Sequence, residues 1–494
     1  MNAYSFFNPE PAATAERIFI ETETGLRYRY ADMREETARI ANLLRSLGLQ
    51  PGDRVAAQVD KSPQALFLYL ACLRAGLCYL PLNTAYQRDE LAYFIGDAEP
   101  GLIVCAPERE ALYAQICHTQ CLSLNAEGRG SLSDRAAEQP DRFDDAQMGL
   151  DDLAVILYTS GTTGRSKGAM LTHGNLTSNA DTLRRYWEIE ADDVLLHALP
   201  LFHIHGLFVA IHPLILAGAR IFFQSKFDAS AVLRRLPDAT LLMGVPTFYA
   251  RLLQEPTLTR EAVEHIRLFV SGSAPLLRET FDAWTQRTGH TILERYGMSE
   301  SGMITSNPYR GERRGGTVGL PLPGVSVRIM DVNGRPTGIG KPGAIEIKGP
   351  NVFAGYWRMP EKTQEEFTSD EWFKTGDMGQ WDADGYLSIV GRAKDLIITG
   401  GYNVYPKEIE LALDALPGVV ESAVIGLPHS DLGEAVTAIA VVVDERLQEA
   451  ELIAQLRQNI AAYKVPKRIH FVRELPRNAM GKVQKNMLRK QYGI

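Results

Sequence analysis

The chain has 494 residues, of which 45% are hydrophobic and 23% are charged, and its formal net charge is -8. This length allows at least two domains around a large core, and the acidic balance argues against a nucleic-acid-binding surface. The five cysteines make no even disulfide framework, and no apolar run is long enough to cross a membrane. The N-terminus lacks the basic and apolar regions of a signal peptide, so we expect a cytoplasmic protein without stable membrane association.

The N-terminal elements alternate between strands and helices. Residues 18–30 have the pattern of a hairpin that turns at Thr24 and Gly25, and a helix that ends at Gly48 follows. A strand begins at Arg54, and the next helix covers residues 63–76. Alternation of this kind predicts α/β layers through most of the chain.

A polar loop follows the buried strand that the apolar run 154–157 predicts. Its residues 158–168, YTSGTTGRSKG, combine glycines, hydroxyl side chains and Lys167. Glycines let the backbone come close to an anion, and hydroxyl and N–H groups then donate hydrogen bonds to its oxygens. The pattern therefore predicts a site for the phosphates of a nucleotide.

Two other kinds of loop have a similar composition. A Walker P-loop has a glycine before its lysine and a Ser or Thr after it, whereas this chain has Ser166 and Gly168 at those positions. A flexible surface linker would have the same composition, but a linker rarely begins at the end of a buried strand. Neither alternative fits as well as a nucleotide-binding loop of another kind.

The last hundred residues have a different pattern, which predicts a small α+β unit. Strands are expected at 386–390, 421–427 and 436–443, a helix begins at Pro406, and a second helix includes Tyr463. A strand ends in charged residues near Lys394, and we expect the domain boundary there.

The loop at 158–168 resembles the phosphate-binding signature of the adenylate-forming superfamily, which includes acyl-CoA synthetases, aryl-CoA ligases, luciferases and peptide-synthetase adenylation domains. Further motifs follow in that superfamily's order through nearly the whole chain. The resemblance implies a large layered α/β N-terminal domain over residues 1–393 and a small mobile α+β C-terminal domain over residues 394–494. It also implies an enzyme that joins a carboxylic acid to CoA through an acyl-adenylate, with ATP and CoA as co-substrates and Mg²⁺ as cofactor.

Adenylation brings two anionic groups together, so cations must offset the charge that develops. Lys482, in the sequence PRNAMGK, resembles the superfamily's catalytic lysine, and its compact ammonium would reach carboxylate and phosphate oxygens alike. Glu300 and Thr163 would bind Mg²⁺, which prefers oxygen ligands. By the same resemblance the other ATP-binding residues are Thr159, Ser160, Gly161, Thr162, Gly164, Lys167, Gly272, Ser273, Ala274, Glu294, Arg295, Tyr296, Gly297, Ser299, Asp377 and Arg392.

Several of these residues have a specific role by resemblance. Tyr296 would stack on adenine, and Asp377 would accept hydrogen bonds from the ribose hydroxyls, which Arg392 would also contact. Ser299 stands where threonine is usual and keeps a hydroxyl for the α-phosphate. We expect a catalytic group formed by Lys482, Glu300, Ser299 and His203.

The second half-reaction needs the CoA thiol in place of Lys482. By resemblance Lys394 is the hinge at which the C-terminal domain turns, because a hinge needs only a few backbone dihedrals to change. Gly400, Gly401 and Tyr402 would then lie beside the pantetheine arm. Lys482 is also a candidate for a lysine acetyltransferase, since acetylation would remove its charge.

The acid is predicted from the residues that would line its pocket. The stretches PLFHIHG, GVPTFYAR and ERYGM, with an arginine-rich approach to GTVG, resemble the malonyl-CoA synthetases within the superfamily. A dicarboxylic acid needs a cation in its pocket, because an unpaired buried carboxylate is costly. By this resemblance Arg251 would bind the distal carboxylate, with malonate as the preferred substrate and methylmalonate as a weaker one. The expected substrate-binding residues are His205, Arg251, Ser271, Met303 and Arg314.

Other functions stay open at this level. The same chemistry on a medium-chain fatty acid or an aryl acid would fit if the surroundings of Arg251 were apolar. A carrier-protein loading domain is less expected, because no serine-bearing carrier motif follows Lys482. A homologue that only binds nucleotide would not need the full set of chemistry-bearing residues that the chain retains.

Overall fold

The structure is a computed structural model that describes residues 1–8, 11–159, 166–399, 402–429, 432–443, 446–478 and 481–493. The chain divides into two compact units, Met1–Ser326 with Lys348–Thr368, and Val327–Ile347 with Ser369–Ile494. The boundary expected between residues 393 and 394 marks the point at which the C-terminal domain would turn. The division into compact units does not test it, so it stays a prediction. No helix in the described ranges has the length and apolar character needed to cross a membrane.

Two sheets organise the larger unit, and their strands alternate with helices along the chain. In order across the first sheet, the described strands are Leu320–Pro321, Gly302–Ser306, Leu293–Met298, Leu268–Ser271, Leu241–Gly244, Val194–His197, Arg220–Phe223, Ile18–Thr22 and Arg27–Arg29. In order across the second sheet, they are Cys121–Ser123, Leu102–Cys105, Arg54–Gln58, Cys78–Pro81, Leu153–Thr159 and Lys167–Thr172.

The centre of the first sheet brings functional residues to one edge. Four neighbouring strands there are parallel and almost wholly buried, as their apolar sequences require. His197, Gly244 and Ser271 are the last residues of three of these strands. Because ligands bind outside the carboxyl ends of parallel strands, this edge is where a substrate site is expected.

Helices cover the sheets of the larger unit. The described α-helices are Ala3–Phe7, Pro11–Thr14, Tyr30–Ser46, Pro63–Ala75, Arg88–Ala98, Glu110–Ile116, Ser131–Ala137, His173–Tyr186, His212–Ala217, Ala229–Arg235, Pro246–Leu252, Arg278–Thr288 and Pro360–Glu366. Short 3₁₀ turns occur at Pro107–Arg109 and Leu236–Asp238, and a π-helical turn spans His205–Val209. The helix expected from Pro63 has clear ends, since Ser62 accepts from the Ala65 N–H at 3.2 Å and Gly76 has φ +73°.

The smaller unit also contains two described sheets. The first has the strands Ser326–Met330, Gly343–Lys348, Phe373–Trp381 and Leu387–Arg392. The second has Tyr402–Val404, Ile397–Thr399, Gly433–Val442 and Val419–His429, with Arg468–Val472 paired to Gly433–Val442. The helices are Pro406–Asp414, Glu449–Asn459 and Lys485–Tyr492, with a 3₁₀ turn at Ala393–Asp395.

These elements confirm the predicted fold class, a layered α/β unit and a smaller α+β unit. The helix expected to include Tyr463 is shorter than predicted and ends at Asn459, because the backbone becomes extended at Ile460. The ring of Tyr463 instead stacks on that of Tyr402, with centroids 4.5 Å apart.

Candidate active site

The predicted nucleotide loop connects two strands of the second sheet. Leu153–Thr159 and Lys167–Thr172 pair antiparallel, with Thr159 opposite Lys167. Five of the residues expected to bind phosphate lie outside the described residues, and they are Ser160, Gly161, Thr162, Thr163 and Gly164. The described ends of the loop therefore fix where it starts and stops, and Lys167 stands at its C-terminal end.

Lys167 and Glu300 meet at the same aromatic ring. The Lys167 ammonium lies 4.1 Å from the centroid of the Tyr356 ring and 3.4 Å from a carboxylate oxygen of Glu366. The Tyr356 hydroxyl donates to Oε1 of the buried Glu300 at 3.1 Å. Burial, followed by the Glu300 charge, raises the pKa of Tyr356, so its hydroxyl stays a donor. The expected phosphate-binding lysine and the expected Mg²⁺ ligand thus belong to one connected group.

The loop after strand Leu268–Ser271 is shaped around Arg295. A Cβ atom at Gly272 would lie 2.3 Å from Cζ of Arg295, so glycine is required for the guanidinium to occupy this place. Ser273 has φ +70°, which is an unfavourable backbone conformation for a residue with a side chain. Its hydroxyl lies 3.2 Å from Nδ1 of His205, and this contact connects the loop to the π-helical turn.

Three neighbouring side chains present buried polar atoms without a hydrogen-bond partner among the described residues. These atoms are Nε2 of His205, Oγ of Ser271, and Nε and Nη2 of Arg295. Burial lowers the pKa of Arg295 to about 9, which leaves the guanidinium charged at neutral pH. Burial, with the Arg295 charge next, holds the pKa of His205 well below its usual range. A buried cation beside the polar atoms of His205 and Ser271 suits a carboxylate, because native structures rarely leave such groups unpaired.

The hairpin that follows positions several other predicted residues. Strands Leu293–Met298 and Gly302–Ser306 pair antiparallel, and a Cβ atom at Gly297 would lie 2.3 Å from Cε of the buried Met303. The buried Glu294 accepts from the Gly316 N–H at 3.2 Å. The remaining predicted residues of this region are partly buried, and they are His203, Ala274, Tyr296 and Ser299.

Two predicted substrate-binding arginines are less enclosed than Arg295. Arg251 is exposed in the last turn of helix Pro246–Leu252. Arg314 is partly buried, and its guanidinium pairs at 2.8 Å with the exposed Glu312. Their roles in binding the acid stay predictions.

The smaller unit gathers its own predicted residues into a charged cluster. Asp377 and Arg392 are opposite each other on paired strands, with Nε of Arg392 3.1 Å from Oδ1 of Asp377. Burial, with the Arg392 charge next, lowers the pKa of both Lys394 and Lys482 to about 8. Of the expected CoA-binding residues, Tyr402 is exposed, whereas Gly400 and Gly401 lie outside the described residues.

Comparison with protein families identifies the class of this chain. Residues 8–357 match the AMP-binding enzyme family, and residues 408–482 match the AMP-binding enzyme C-terminal domain. The chain belongs to the AMP-binding enzymes.

Individual AMP-binding relatives match nearly the whole chain. ATP-bound MatB from Rhodopseudomonas palustris is 54% identical, with a TM-score of 0.97 over 99% of this chain and 98% of that one. A feruloyl-CoA synthase from an Amycolatopsis species is 37% identical over 98% of this chain and 96% of its own length. A malonate–CoA ligase from Arabidopsis thaliana is 35% identical over 97% of this chain and 87% of its own length. The feruloyl-CoA synthase and the malonate–CoA ligase match similar shares of this chain. The extent of the match therefore does not distinguish one acid from the other.

Some residues of this candidate site carry no signal in the sequence. Tyr356 and Glu366 lie about two hundred residues after Lys167, and no short motif connects them. The superfamily resemblance predicts Arg295 to bind ATP. Only the packing of Gly272 against its guanidinium places it with His205 and Ser271.

The pKa of Lys482 predicts how adenylation depends on pH. The folded pKa of about 8 lies below the ordinary lysine value, so the ammonium is present below about pH 8 and is lost above it. We expect pyrophosphate release without CoA to slow as the pH rises through about 8. Thioester formation from prepared acyl-adenylate should not slow there, because the thiolate share of CoA grows with pH.

A Lys394→Met variant separates the two lysines, since the pKa of Lys394 is also about 8. If Lys482 is responsible, this variant keeps an alkaline decline but shifts it to higher pH, because the Lys394 charge lowers the pKa of Lys482. An adenylation rate that stays flat across about pH 8 would contradict the prediction.

Proposed function

We propose that this chain ligates malonate to CoA through malonyl-adenylate, giving malonyl-CoA, AMP and pyrophosphate. The chain is an AMP-forming acid–CoA ligase that uses ATP and CoA as substrates. The observation that supports malonate is the buried guanidinium of Arg295, which lies with the unpartnered polar atoms of His205 and Ser271. The malonate–CoA ligase among the relatives supports the same acid.

Arg295 separates malonate from the apolar acids on physical grounds. A monocarboxylic acid uses its carboxylate in the reaction and leaves nothing to pair with a second cation. An aryl or alkyl group in this pocket would keep the Arg295 charge buried and unpaired, which is costly. The distal carboxylate of malonate would instead accept from Arg295, His205 and Ser271, so its other carboxylate is left to attack the α-phosphate.

The nucleotide is bound by residues with distinct tasks. Lys167 and the loop it ends would bind phosphate oxygens, Tyr296 would stack on adenine, and Asp377 would accept from the ribose hydroxyls. Lys482 would stabilise the charge that develops as the carboxylate attacks. The group formed by Glu300 and Tyr356 fits a Mg²⁺ site, because Mg²⁺ is commonly held by one carboxylate together with substrate phosphates. When bound, Mg²⁺ neutralises phosphate charge, and Glu300 with Thr163 would hold it.

The second half-reaction transfers the malonyl group to the CoA thiol. In this proposal Lys394 is the hinge that withdraws Lys482, and Gly400, Gly401 and Tyr402 line the pantetheine arm. Met303, whose methyl group packs against Gly297, would limit bulk on the central carbon and make methylmalonate the weaker substrate. Acetylation of Lys482 in a cytoplasmic setting would switch off adenylation by removing its charge.

A substrate panel tests the proposal. CoA-thiol consumption is measured with ATP and Mg²⁺ across malonate, methylmalonate, succinate, acetate, octanoate and 4-coumarate, with pyrophosphate release without CoA as the readout of adenylation. We expect malonate to be strongly preferred and methylmalonate to be weaker, because a second carboxylate can pair with the buried guanidinium of Arg295. Preference for 4-coumarate or octanoate would keep the ligase and overturn malonate as its acid.

A further inference from the structure

A lysine and a histidine form a hydrogen-bonded pair that the proposed chemistry does not use. The Lys61 ammonium lies 2.7 Å from Nδ1 of His197 and donates to the His197 carbonyl at 2.9 Å. It also lies 4.5 Å from the centroid of the Phe223 ring, which is stacked with the His197 ring at an interplanar angle of 7°. These three contacts, with a ring nitrogen, a carbonyl oxygen and an aromatic ring, distinguish Lys61 from a solvated surface lysine.

His197 connects this pair to the turn that carries His205. His197 is the last residue of a parallel strand at the substrate edge of the first sheet, and its Nε2 lies 2.8 Å from the Gly206 carbonyl oxygen. Gly206 follows His205 in the π-helical turn His205–Val209. A Cβ atom at Gly206 would lie 2.0 Å from the Pro200 carbonyl oxygen, so the turn packs closely against the backbone at Pro200.

The partners of His197 determine which ring nitrogen carries the proton. The Gly206 carbonyl can only accept, so Nε2 must be the N–H donor. Nδ1 is then the lone-pair nitrogen and accepts from Lys61. A proton on Nδ1 would face the Lys61 ammonium, and burial followed by the Lys61 charge accordingly holds the pKa of His197 well below its usual range.

We propose that Lys61 and His197 are positioning residues for the acid pocket. Lys61 fixes His197 in the tautomer with its proton on Nε2. That N–H donates to the Gly206 carbonyl, and this hydrogen bond fixes the orientation of the neighbouring His205 side chain. The inference rests on the proposed role of His205 in binding the acid, but not on malonate being that acid. Neither residue touches substrate, and both act through the turn.

A lysine at position 61 has a physical reason under this proposal. The side chain is partly buried, and burial holds the pKa of Lys61 well below its ordinary value. An apolar side chain would fill the same space at lower cost, but it would leave Nδ1 without a donor. The ring could then carry its proton on either nitrogen, and a proton on Nδ1 would turn the Nε2 lone pair towards the Gly206 carbonyl and repel it.

Steady-state kinetics of Lys61→Met and His197→Phe test the proposal. The first removes the donor to Nδ1, and the second keeps a ring beside Phe223 but has no N–H. We expect each to raise the KM for malonate roughly tenfold, as loss of one buried hydrogen bond implies, while the KM for ATP stays within about twofold. Lys226→Met, at an exposed lysine, is the matched control and should leave both constants unchanged.

Parallel increases in both KM values, or an unchanged malonate KM in folded variants, would overturn the proposal. Thermal melting shows which variants are folded, and His197→Phe supplies the kinetic test if Lys61→Met does not fold. If the wild-type enzyme prefers another acid, the same variants are assayed with that acid, so failure of the malonate assignment is seen separately.

NMR of ¹⁵N-histidine-labelled enzyme tests the tautomer without any substrate. The His197 signals are identified by their loss in His197→Phe. We expect a neutral ring with the proton on Nε2 in the wild-type enzyme, and a His197 pKa that rises in Lys61→Met. A proton on Nδ1 in the wild-type ring, or the same His197 titration in both proteins, would contradict the role of Lys61.

Discussion

Lys482→Ala should slow adenylation by at least about a hundredfold and leave thioester formation from prepared malonyl-adenylate near the wild-type rate. The physical reason is that two anions, the carboxylate and the α-phosphate, meet in the first half-reaction. In the second half-reaction the thiol attacks the acyl carbon of a mixed anhydride, and that carbon carries no negative charge. Lys482 belongs to a cluster in which the carboxylate of Asp377 is paired with Arg392 at 3.1 Å. Asp377 also favours the charged form of Lys482, whose pKa of about 8 leaves the ammonium present at neutral pH.

Two separate assays measure this difference. Pyrophosphate release without CoA reports adenylation, and loss of CoA thiol from prepared malonyl-adenylate reports transfer. Lys490→Ala is the matched control, because Lys490 is exposed on the same C-terminal segment and should tolerate the change. If both half-reactions fell equally in Lys482→Ala, the separation of the two steps would be wrong.

The family and fold class are predictable because their signals are local. Glycines, hydroxyls and a lysine within residues 158–168, together with ERYGMSE and the motif around Lys482, identify the chemistry without knowledge of packing. The match of residues 8–357 to the AMP-binding enzymes confirms that prediction. The alternation of apolar runs likewise predicts the layers, since each strand and helix must bury one face.

Contacts between distant residues could not be predicted in the same way. Tyr356 joins Lys167 to Glu300, and Lys61 reaches His197 across more than a hundred residues. Each pair depends on which strands are neighbours in the folded sheet, and a single sequence does not state this. The π-helical turn that carries His205 has no sequence signature of its own.

Packing distinguishes the two arginines that are candidates for binding the acid. The motif GVPTFYAR predicts Arg251, whereas Tyr249 of the same helix points inwards, and its hydroxyl donates to the Val270 carbonyl at 2.7 Å. Residues two apart on a helix point about 200° away from each other, so Arg251 is exposed where Tyr249 is buried. The charge of Arg295 interacts with Tyr249 on the inner side of this helix.

Arg295→Met should therefore lower kcat/KM for malonate far more than Arg251→Ala does. Removing one partner of a buried charge pair costs about 2–5 kcal/mol, which is roughly 30- to 5,000-fold in kcat/KM. An exposed arginine contributes about 0–1 kcal/mol, or less than about tenfold. Methionine has a similar length and no charge, so the pocket should also accept a short monocarboxylic acid better than before.

The comparison uses kcat/KM for malonate and for butyrate, the KM for ATP, and thermal melting of both variants. Loss of a buried unpaired cation should not lower the melting temperature of the free enzyme, since the Arg295 charge is unfavourable until a carboxylate binds. A changed KM for ATP with unchanged malonate kinetics would return Arg295 to the nucleotide site, as its place in ERYGM first indicated. A larger loss in Arg251→Ala than in Arg295→Met would mean that the helix Pro246–Leu252 turns its exposed arginine onto the bound acid.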